Sequence, residues 1–259
     1  MKVSHGTAQD LAQRAQTSPS TVVRCCQRMG YRGYHHLQMA LAREVPSEHL
    51  HHGDIAPDDP VNVVLAKVFA AGARTLTDGV RTVDEDRFRA AVEAISNARR
   101  VVFIGVGTSA PLAQDAAYRL RTIGVSADAP ADVHVQHVAT RLLGPPDVCV
   151  AITHTGATRE TVMALRAARQ VGATTIVVTS FSRSPISRLA DFVLVTGGPE
   201  LSFQREAMAS RLAHLCLLDA LYVAVAMLTE TRSKTALAAT AEVIARHRHP
   251  PRGDDREVE

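Results

Sequence analysis

The chain has 259 residues, a formal net charge of +3, 46% hydrophobic and 4% aromatic residues, and no tryptophan. That length holds one large domain or two smaller ones, with a core built mainly from Ala, Val, Leu and Ile. No uninterrupted apolar run approaches a membrane span, and Met1–Asp10 lacks the apolar centre of a signal peptide. The expectation is a cytoplasmic protein without membrane contact.

Charge is uneven along the chain. Between Met1 and Val45 six basic residues face two acidic ones, a local excess of +4. A basic N-terminal segment points to a polyanionic partner. The four cysteines (Cys25, Cys26, Cys149 and Cys216) have neither disulfide nor CxxC zinc spacing and read as buried free thiols.

Thr7 is a plausible N-cap, followed by Ala8, Leu11, Ala12 and Ala15 at helical spacing. Ser18 then caps a second helix over about Pro19–Met29, with Pro19 at its first position and Gly30 as its stop. Val22, Val23 and Cys26 are its inward positions. Two short helices across a tight turn read as a helix-turn-helix. In that motif the second helix enters the major groove by its N-terminal part. Ser18, Ser20, Thr21 and Arg24 are then the DNA-facing residues. Arg28, Arg32 and Lys2 are the phosphate contacts, which add affinity without sequence choice. The plain alternative is a helix pair with a solvated basic face.

The stretch Thr21 to Tyr34 resembles the recognition helix and following turn of RpiR-type transcriptional regulators. That family joins an N-terminal helix-turn-helix domain to a C-terminal SIS (sugar isomerase) domain. The resemblance implies a further helix, which Tyr34–Arg43 fits with Leu37, Ala40 and Leu41 inward. Two departures are visible. The family's DNA-binding domain usually opens with an additional helix, whereas only Met1–Gly6 precede Thr7 here. A missing helix would leave apolar surface uncovered. Gln16 occupies the turn position that commonly holds glycine, so it is expected at positive φ.

Val45 to Pro60, with Pro46, Gly53, Pro57 and Pro60, reads as a linker. Its His49, His51 and His52 have no accompanying carboxylate or cysteine framework, so they are read as solvated rather than metal-binding. Val61–Val83 and Asp84–Arg99 follow as amphipathic helices. The first carries Val64, Leu65, Val68, Phe69 and Leu76; the second carries Phe88, Ala91, Val92 and Ile95.

Strand and helix then alternate. A strand Val101–Gly105 runs into Gly107, Thr108 and Ser109 and a helix Pro111–Ile123. A strand Val125–Ala127 and a helix near Asp132–Leu143 come next. The strand Cys149–Ile152 runs into the loop Thr153–Thr158 and the helix Arg159–Val171. The strand Thr174–Thr179, a polar loop Ser180–Ser184, a short helix Ile186–Ala190 and the strand Phe192–Val195 complete the pattern. This rhythm predicts a doubly wound parallel sheet of five strands, with its crevice at the C-terminal strand ends. A long helix lies within Leu201–Glu230 and a last one spans Ser233–Arg246, before a charged tail.

The two glycine- and hydroxyl-rich loops carry the chemistry. At a strand-to-helix junction backbone N–H groups and the helix dipole favour an anion. Thr153, Thr155 and Thr158 add hydroxyls, and Gly156 lets the backbone bend toward a ligand. An ordinary helix cap is the plain alternative. The first loop is not a dinucleotide fingerprint, because Ala110 stands where the third glycine of GxGxxG belongs. Together the loops resemble those of the SIS domain over about Arg99–Glu230. The resemblance implies that Gly107, Thr108, Ser109, Thr153, His154, Thr155, Gly156 and Thr158 line a phosphosugar site. Arg205, Glu206 and Ser210 are further ligand candidates.

The resulting expectation divides the chain into a helix-turn-helix domain at 1–45, a linker at 46–60, a SIS-type domain with flanking helices at 61–248 and a tail at 249–259. The function expected is a transcriptional regulator with operator DNA and a phosphorylated sugar as partners. It would be a homodimer or homotetramer, with no cofactor, metal or catalytic residues. A phosphosugar isomerase is the alternative, with Glu160, His154, His134, His137, Glu206 and His214 as its acid–base candidates. An orphan SIS module that only binds and oligomerises is a third reading.

Overall fold

The computed structural model describes residues 11–13, 15–31, 33, 34, 37, 55–197 and 208–247. The chain forms two compact units, Met1–Arg81 with Gly197–Ala213, and Thr82–Thr196 with His214–Glu259.

In the first unit, helix α1 spans Pro19–Arg28. Ser18 caps it by accepting a hydrogen bond from the Thr21 amide, with Pro19 in the first turn. The stop at Gly30 (φ 83°) is also local. The Gly30 amide donates to the Gln27 carbonyl and the Tyr31 amide to that of Cys26. These paired bonds close the last turn, and the left-handed residue they require is a glycine. Ala12, Val22, Cys26 and Tyr34 form the small core, flanked by Leu11, Tyr31 and Leu37. Val23, expected inward, is only half-buried. The first predicted helix is described at Leu11–Gln13; its start at Thr7, the missing-helix reading, Tyr34–Arg43 as a helix and the histidines of 49–52 lie outside the described residues. Helix α2 spans Val61–Gly79 and runs into a 3₁₀ turn, Val80–Thr82.

The second unit is the predicted sheet. Helix α3 (Glu85–Asn97), capped by Asp84, leads into β1 (Val101–Ile104). Then follow α4 (Ala110–Thr122), β2 (Ala127–Asp128), α5 (Val133–Arg141), β3 (Val148–Ile152), α6 (Arg159–Gln170), β4 (Thr174–Thr179) and β5 (Phe192–Val195). Helices α7 (Ala209–Leu228) and α8 (Glu230–Arg246) close the chain, with α7 beginning in the first unit. All four strand pairings are parallel, in the order β2-β1-β3-β4-β5.

Strand side chains alternate between two cores, as period-2 geometry requires. Val101, Phe103, Val150, Ile152, Ile176 and Val178 point to one face, which is covered by α3, α4 and α7. Val102, Ile104, Cys149, Ala151 and Val177 point to the other, with Ala164, Leu165 and Ala168 of α6. Every residue of β1 and β3 is buried, which is why these strands read as unbroken apolar runs.

Three expectations are corrected. Ile186–Ala190 forms turns rather than a helix: the Ser187 hydroxyl accepts from the Ser184 amide and donates to the Ser184 carbonyl, while the Ile186 amide donates to the Gly156 carbonyl. The last helix starts at Glu230, with Thr229 alone separating it from α7. Cys25 and Cys216 are exposed; Cys26 and Cys149 are buried. Helix α7 has the length and apolar composition of a membrane span, yet Leu217, Leu218, Leu221 and Val225 lie in the sheet core.

Candidate functional site

The strand order reverses direction between β1 and β3, because β2 lies outside β1 and the chain then crosses back to β3. In an open parallel sheet ligands bind outside the carboxyl ends of the strands at this switch point. The loops after β1 and β3 occupy it.

After β1, Gly105 is pressed against backbone. A Cβ there would stand 3.1 Å from the Ser109 carbonyl oxygen and 3.2 Å from that of Ile152. Gly107 takes φ 59° and starts a single 3₁₀ turn, Gly107–Ser109, which ends at α4. The Gly105 carbonyl is satisfied by the buried Gln136 of α5, whose Nε2 also donates to the Pro130 carbonyl. Gly107 and Thr108 are exposed and Ser109 is half-buried.

After β3, Thr153 is buried, and its amide donates to the Val178 carbonyl, continuing the β3–β4 ladder. Its Oγ1 accepts from the Gly156 amide at 3.3 Å, while Thr155 Oγ1 accepts from the Ala157 amide. Gly156 has φ 66°, and a Cβ on it would lie 2.5 Å from Ser184 Cβ and 3.1 Å from Ile186 Cγ2. Glycine is therefore required twice, by conformation and by space.

Ser109 and Thr158 occupy the N-cap positions of α4 and α6, and neither side chain caps its helix. Ser18, Asp84 and Asp132 each accept a hydrogen bond from the backbone three residues on. At the two crevice helices the hydroxyls are not spent on the first-turn N–H groups. Those N–H groups and the positive end of the helix dipole are what an anion needs.

A third loop, after β4, joins this site. The Ser180 amide and the Thr179 hydroxyl both donate to the His154 carbonyl, at 3.1 and 3.0 Å. The Ser180 hydroxyl is hydrogen-bonded to His154 Nδ1 at 2.9 Å and to Nε2 of the buried His214 at 3.1 Å. Phe181 stands edge-on to the His154 ring, with centroids 5.4 Å apart. The polar step Thr179–Ser180 after an apolar strand is the same signal that marks the other two loops. Ser180 has no glycine beside it, so the sequence around it marks a polar loop and not a ligand site. Ser184 is buried behind Gly156 and its hydroxyl finds no partner.

Of the enzyme candidates, His154 and His214 meet at the Ser180 hydroxyl. His137 Nε2 is hydrogen-bonded to the backbone carbonyl of Glu160, whose side chain is exposed. Ser210 is fully buried in α7. Arg205, Glu206, Lys2 and Arg32 lie outside the described residues. Among the described residues no cluster of three metal-ligating side chains occurs.

On the helix-turn-helix, Ser18, Ser20, Thr21, Arg24 and Arg28 are all exposed. Ser18 Oγ lies 2.8 Å from both Ser20 Oγ and Thr21 Oγ1, so three hydroxyls cluster at the start of α1. Gln16 takes φ 48° in the turn before it, as its place there predicts.

A helix-turn-helix followed by a parallel sheet with hydroxyl-rich loops at its switch point is the layout of a DNA-binding regulator with an effector domain. Residues 94–224 match the model of the SIS domain and residues 1–48 that of the helix-turn-helix domain of the rpiR family. The chain belongs to the rpiR family of HTH-type transcriptional regulators. An uncharacterized HTH-type transcriptional regulator of Haemophilus influenzae is 30% identical over 225 residues, covering 85% of this chain and 78% of that protein. Among solved structures, the Vibrio vulnificus NanR protein complexed with ManNAc-6P is similar at TM-score 0.69 and 29% identity, over 96% of this chain and 89% of that one. The sugar isomerase domain of an RpiR transcription factor from Sphaerobacter thermophilus shares the fold at TM-score 0.63 and 24% identity, over 69% of this chain and 98% of that one.

Proposed function

We propose that this regulator binds a phosphorylated sugar in the crevice formed by Gly107–Ser109 and Thr153–Thr158, and operator DNA through α1. The observation that carries the effector reading is the pair of N-cap hydroxyls, Ser109 and Thr158, that leave their own helices uncapped. Thr108, Thr155 and His154 complete the phosphate contacts, and Gly156 gives the backbone its close approach. The similar NanR structure, which holds ManNAc-6P, supports the same chemistry.

The DNA-binding domain comprises 1–45, with Ser18, Ser20, Thr21, Arg24, Arg28 and Arg32 toward DNA; the effector domain comprises 61–248. Two copies are needed to present two recognition helices to a two-fold operator. Exposed Val61, Leu65, Phe69 and Val80 on α2 and the turn after it supply apolar surface for a homodimer or homotetramer. The protein acts in the cytoplasm, without a cofactor and without turnover. The isomerase alternative needs a carboxylate base beside the sugar, and Glu160, its one carboxylate candidate among the described residues, has an exposed side chain.

The test is selection of genomic fragments by the purified protein at near-physiological salt, with and without ManNAc-6P and a panel of hexose and pentose phosphates. One palindromic site whose retention changes with one phosphosugar is the expected result. Absence of any enriched site, together with turnover of a sugar phosphate, would reverse the reading in favour of an enzyme.

A further inference from the structure

The Ser180 hydroxyl bridges two imidazoles, one in the phosphate loop and one buried under it. We infer that Ser180 and His214 are positioning residues that hold His154 ready to carry a proton when a dianion enters the loop. The inference rests on the effector reading above and names the charge state that the site selects.

The argument is one of hydrogen-bond inventory. A serine hydroxyl has one proton to donate and lone pairs to accept. Its two ring neighbours lie at 2.9 and 3.1 Å, so both contacts are hydrogen bonds. When the hydroxyl proton goes to one ring nitrogen, the other ring must donate. Two arrangements place that proton between the rings. In one, His154 Nδ1–H donates to Ser180, and Ser180 donates to His214 Nε2. In the other, the direction is reversed.

Burial decides which ring can be charged. His214 is 1% exposed, whereas His154 is half-buried in the loop itself. Desolvation penalises a charged imidazole, so the cation belongs on His154 and His214 stays neutral. A charged His154 carries a proton on both nitrogens and must donate from Nδ1. Of these two it fits the first, in which His214 accepts, and not the second. The bridge is thus wired for a cationic His154. An anion held by Thr155 and Thr158 of the same loop, with Ser109 of the loop after β1, supplies the opposite charge. Among the described residues, the charged side chains nearest in sequence to these groups are Arg159 and Glu160 at the start of α6, Arg183 after β4, and Arg211 on α7; Arg166 and Arg169 of α6, Arg188 and Asp191 after β4, and Asp219 and Tyr222 of α7 stand further along the same elements. A dianionic phosphate ester is therefore preferred over a neutral or singly charged sugar.

Calorimetric titration with ManNAc-6P, and separately with inorganic sulfate as a dianion that does not titrate, tests this at pH 7.5 in two buffers of different ionisation enthalpy. The full chain is expected to take up as much as about one proton per site on binding. His214→Leu removes the acceptor, so the Ser180 hydroxyl turns to donate to His154. Proton uptake should disappear and affinity should fall about tenfold. Ser180→Ala should do the same without altering the core packing of α7. His214→Gln restores an acceptor oxygen and should restore uptake. Binding with no proton uptake in the unaltered chain, or uptake unchanged in Ser180→Ala and His214→Leu, overturns the inference and leaves the effector site standing. Binding of neither probe overturns the effector site and the inference together.

Discussion

Gly156 and Ser184 are fitted to each other. A Cβ on Gly156 would lie 2.5 Å from Ser184 Cβ, closer than non-bonded carbons come, and Gly156 sits at φ 66°. The Thr153–Thr158 loop is packed at this point against the turn that follows β4. The Ile186 amide reinforces the junction by donating to the Gly156 carbonyl. Gly156→Ala is expected to force the loop open and to abolish phosphosugar binding. The protein should lose about 1–3 kcal/mol in stability. Calorimetric titration and a thermal melt check the two effects separately.

The uncapped N-caps make a graded expectation. Thr158→Val keeps the shape of the side chain and removes only the hydroxyl. Because that hydroxyl makes no cap bond, stability should change little. Affinity for a phosphosugar should fall roughly 10- to 100-fold, the value of a hydrogen bond to a charged group. Ser109→Ala should behave alike. Equal losses in affinity for the dephosphorylated sugar would show that these hydroxyls do not touch phosphate.

Asp147 anchors the start of β3 at the opposite end of the sheet from the crevice. Its side chain is shut from solvent and accepts from Arg99 Nε at 2.9 Å and Nη2 at 2.7 Å, and from the Gly144 amide at 2.9 Å. The Arg99 guanidinium holds the carboxyl below the usual carboxylate range, against the upward push of burial. A carboxyl lowered in the folded state contributes stability above its unfolded value near 4, and that contribution is lost as pH falls through the folded value. Asp147→Asn should cost on the order of 2 kcal/mol at pH 7, discounted because Arg99 reaches solvent. The gap between the two proteins should close as pH is lowered from 5 toward 3. Denaturation curves across that range give the comparison.

Gln16 carries the backbone strain of the N-terminal turn, at φ 48°. A left-handed residue with a Cβ costs about 1–2 kcal/mol, and glycine gives back part of that through the entropy of the unfolded chain. Gln16→Gly should therefore stabilise the unit by roughly 0.5 kcal/mol. Hydrogen exchange of the α1 amides reads it directly.

On DNA, Arg24→Ala and Arg28→Ala are expected to differ in kind. Arg24 lies at mid-helix in α1, one turn ahead of Arg28 and nearer the end that reaches base edges, so its loss should relax sequence preference at a cost of about 1–3 kcal/mol. Arg28 lies in the last turn, where a phosphate contact would weaken all sequences alike and lower the salt slope by about 1. Salt titrations on the selected site and on a scrambled one separate the two.

Much of this architecture was written in local chemistry. The cap at Ser18 and Pro19, the stop at Gly30 and the positive φ at Gln16 depend on neighbours within a few residues, so the sequence determined them by itself. The same holds for β1, β3 and β4: strands buried on both faces appear as short aliphatic runs ended by Gly or Thr. The paired loops at Gly107–Ser109 and Thr153–Thr158 were legible because glycine and hydroxyl residues recur together at two strand-to-helix steps of one sheet, which capping of a single helix does not require. Ile186–Ala190 misled, since a stretch with helical spacing was pinned into turns by the Ser187 and Gly156 contacts.

Tertiary structure alone decided the rest. Ser180 lies 26 residues from His154 and 34 from His214, and no local rule joins them. They meet because parallel pairing of β3 and β4 brings both loops to one edge, and α7 packs beneath it. Gly156 reads as a flexible turn in the sequence, whereas packing against Ser184 makes it a fixed contact. The failure of Ser109 and Thr158 to cap their helices was equally invisible, because serine and threonine at an N-cap ordinarily cap. Composition and spacing record which groups are present. Only the fold determines which of their hydrogen bonds are left for a ligand.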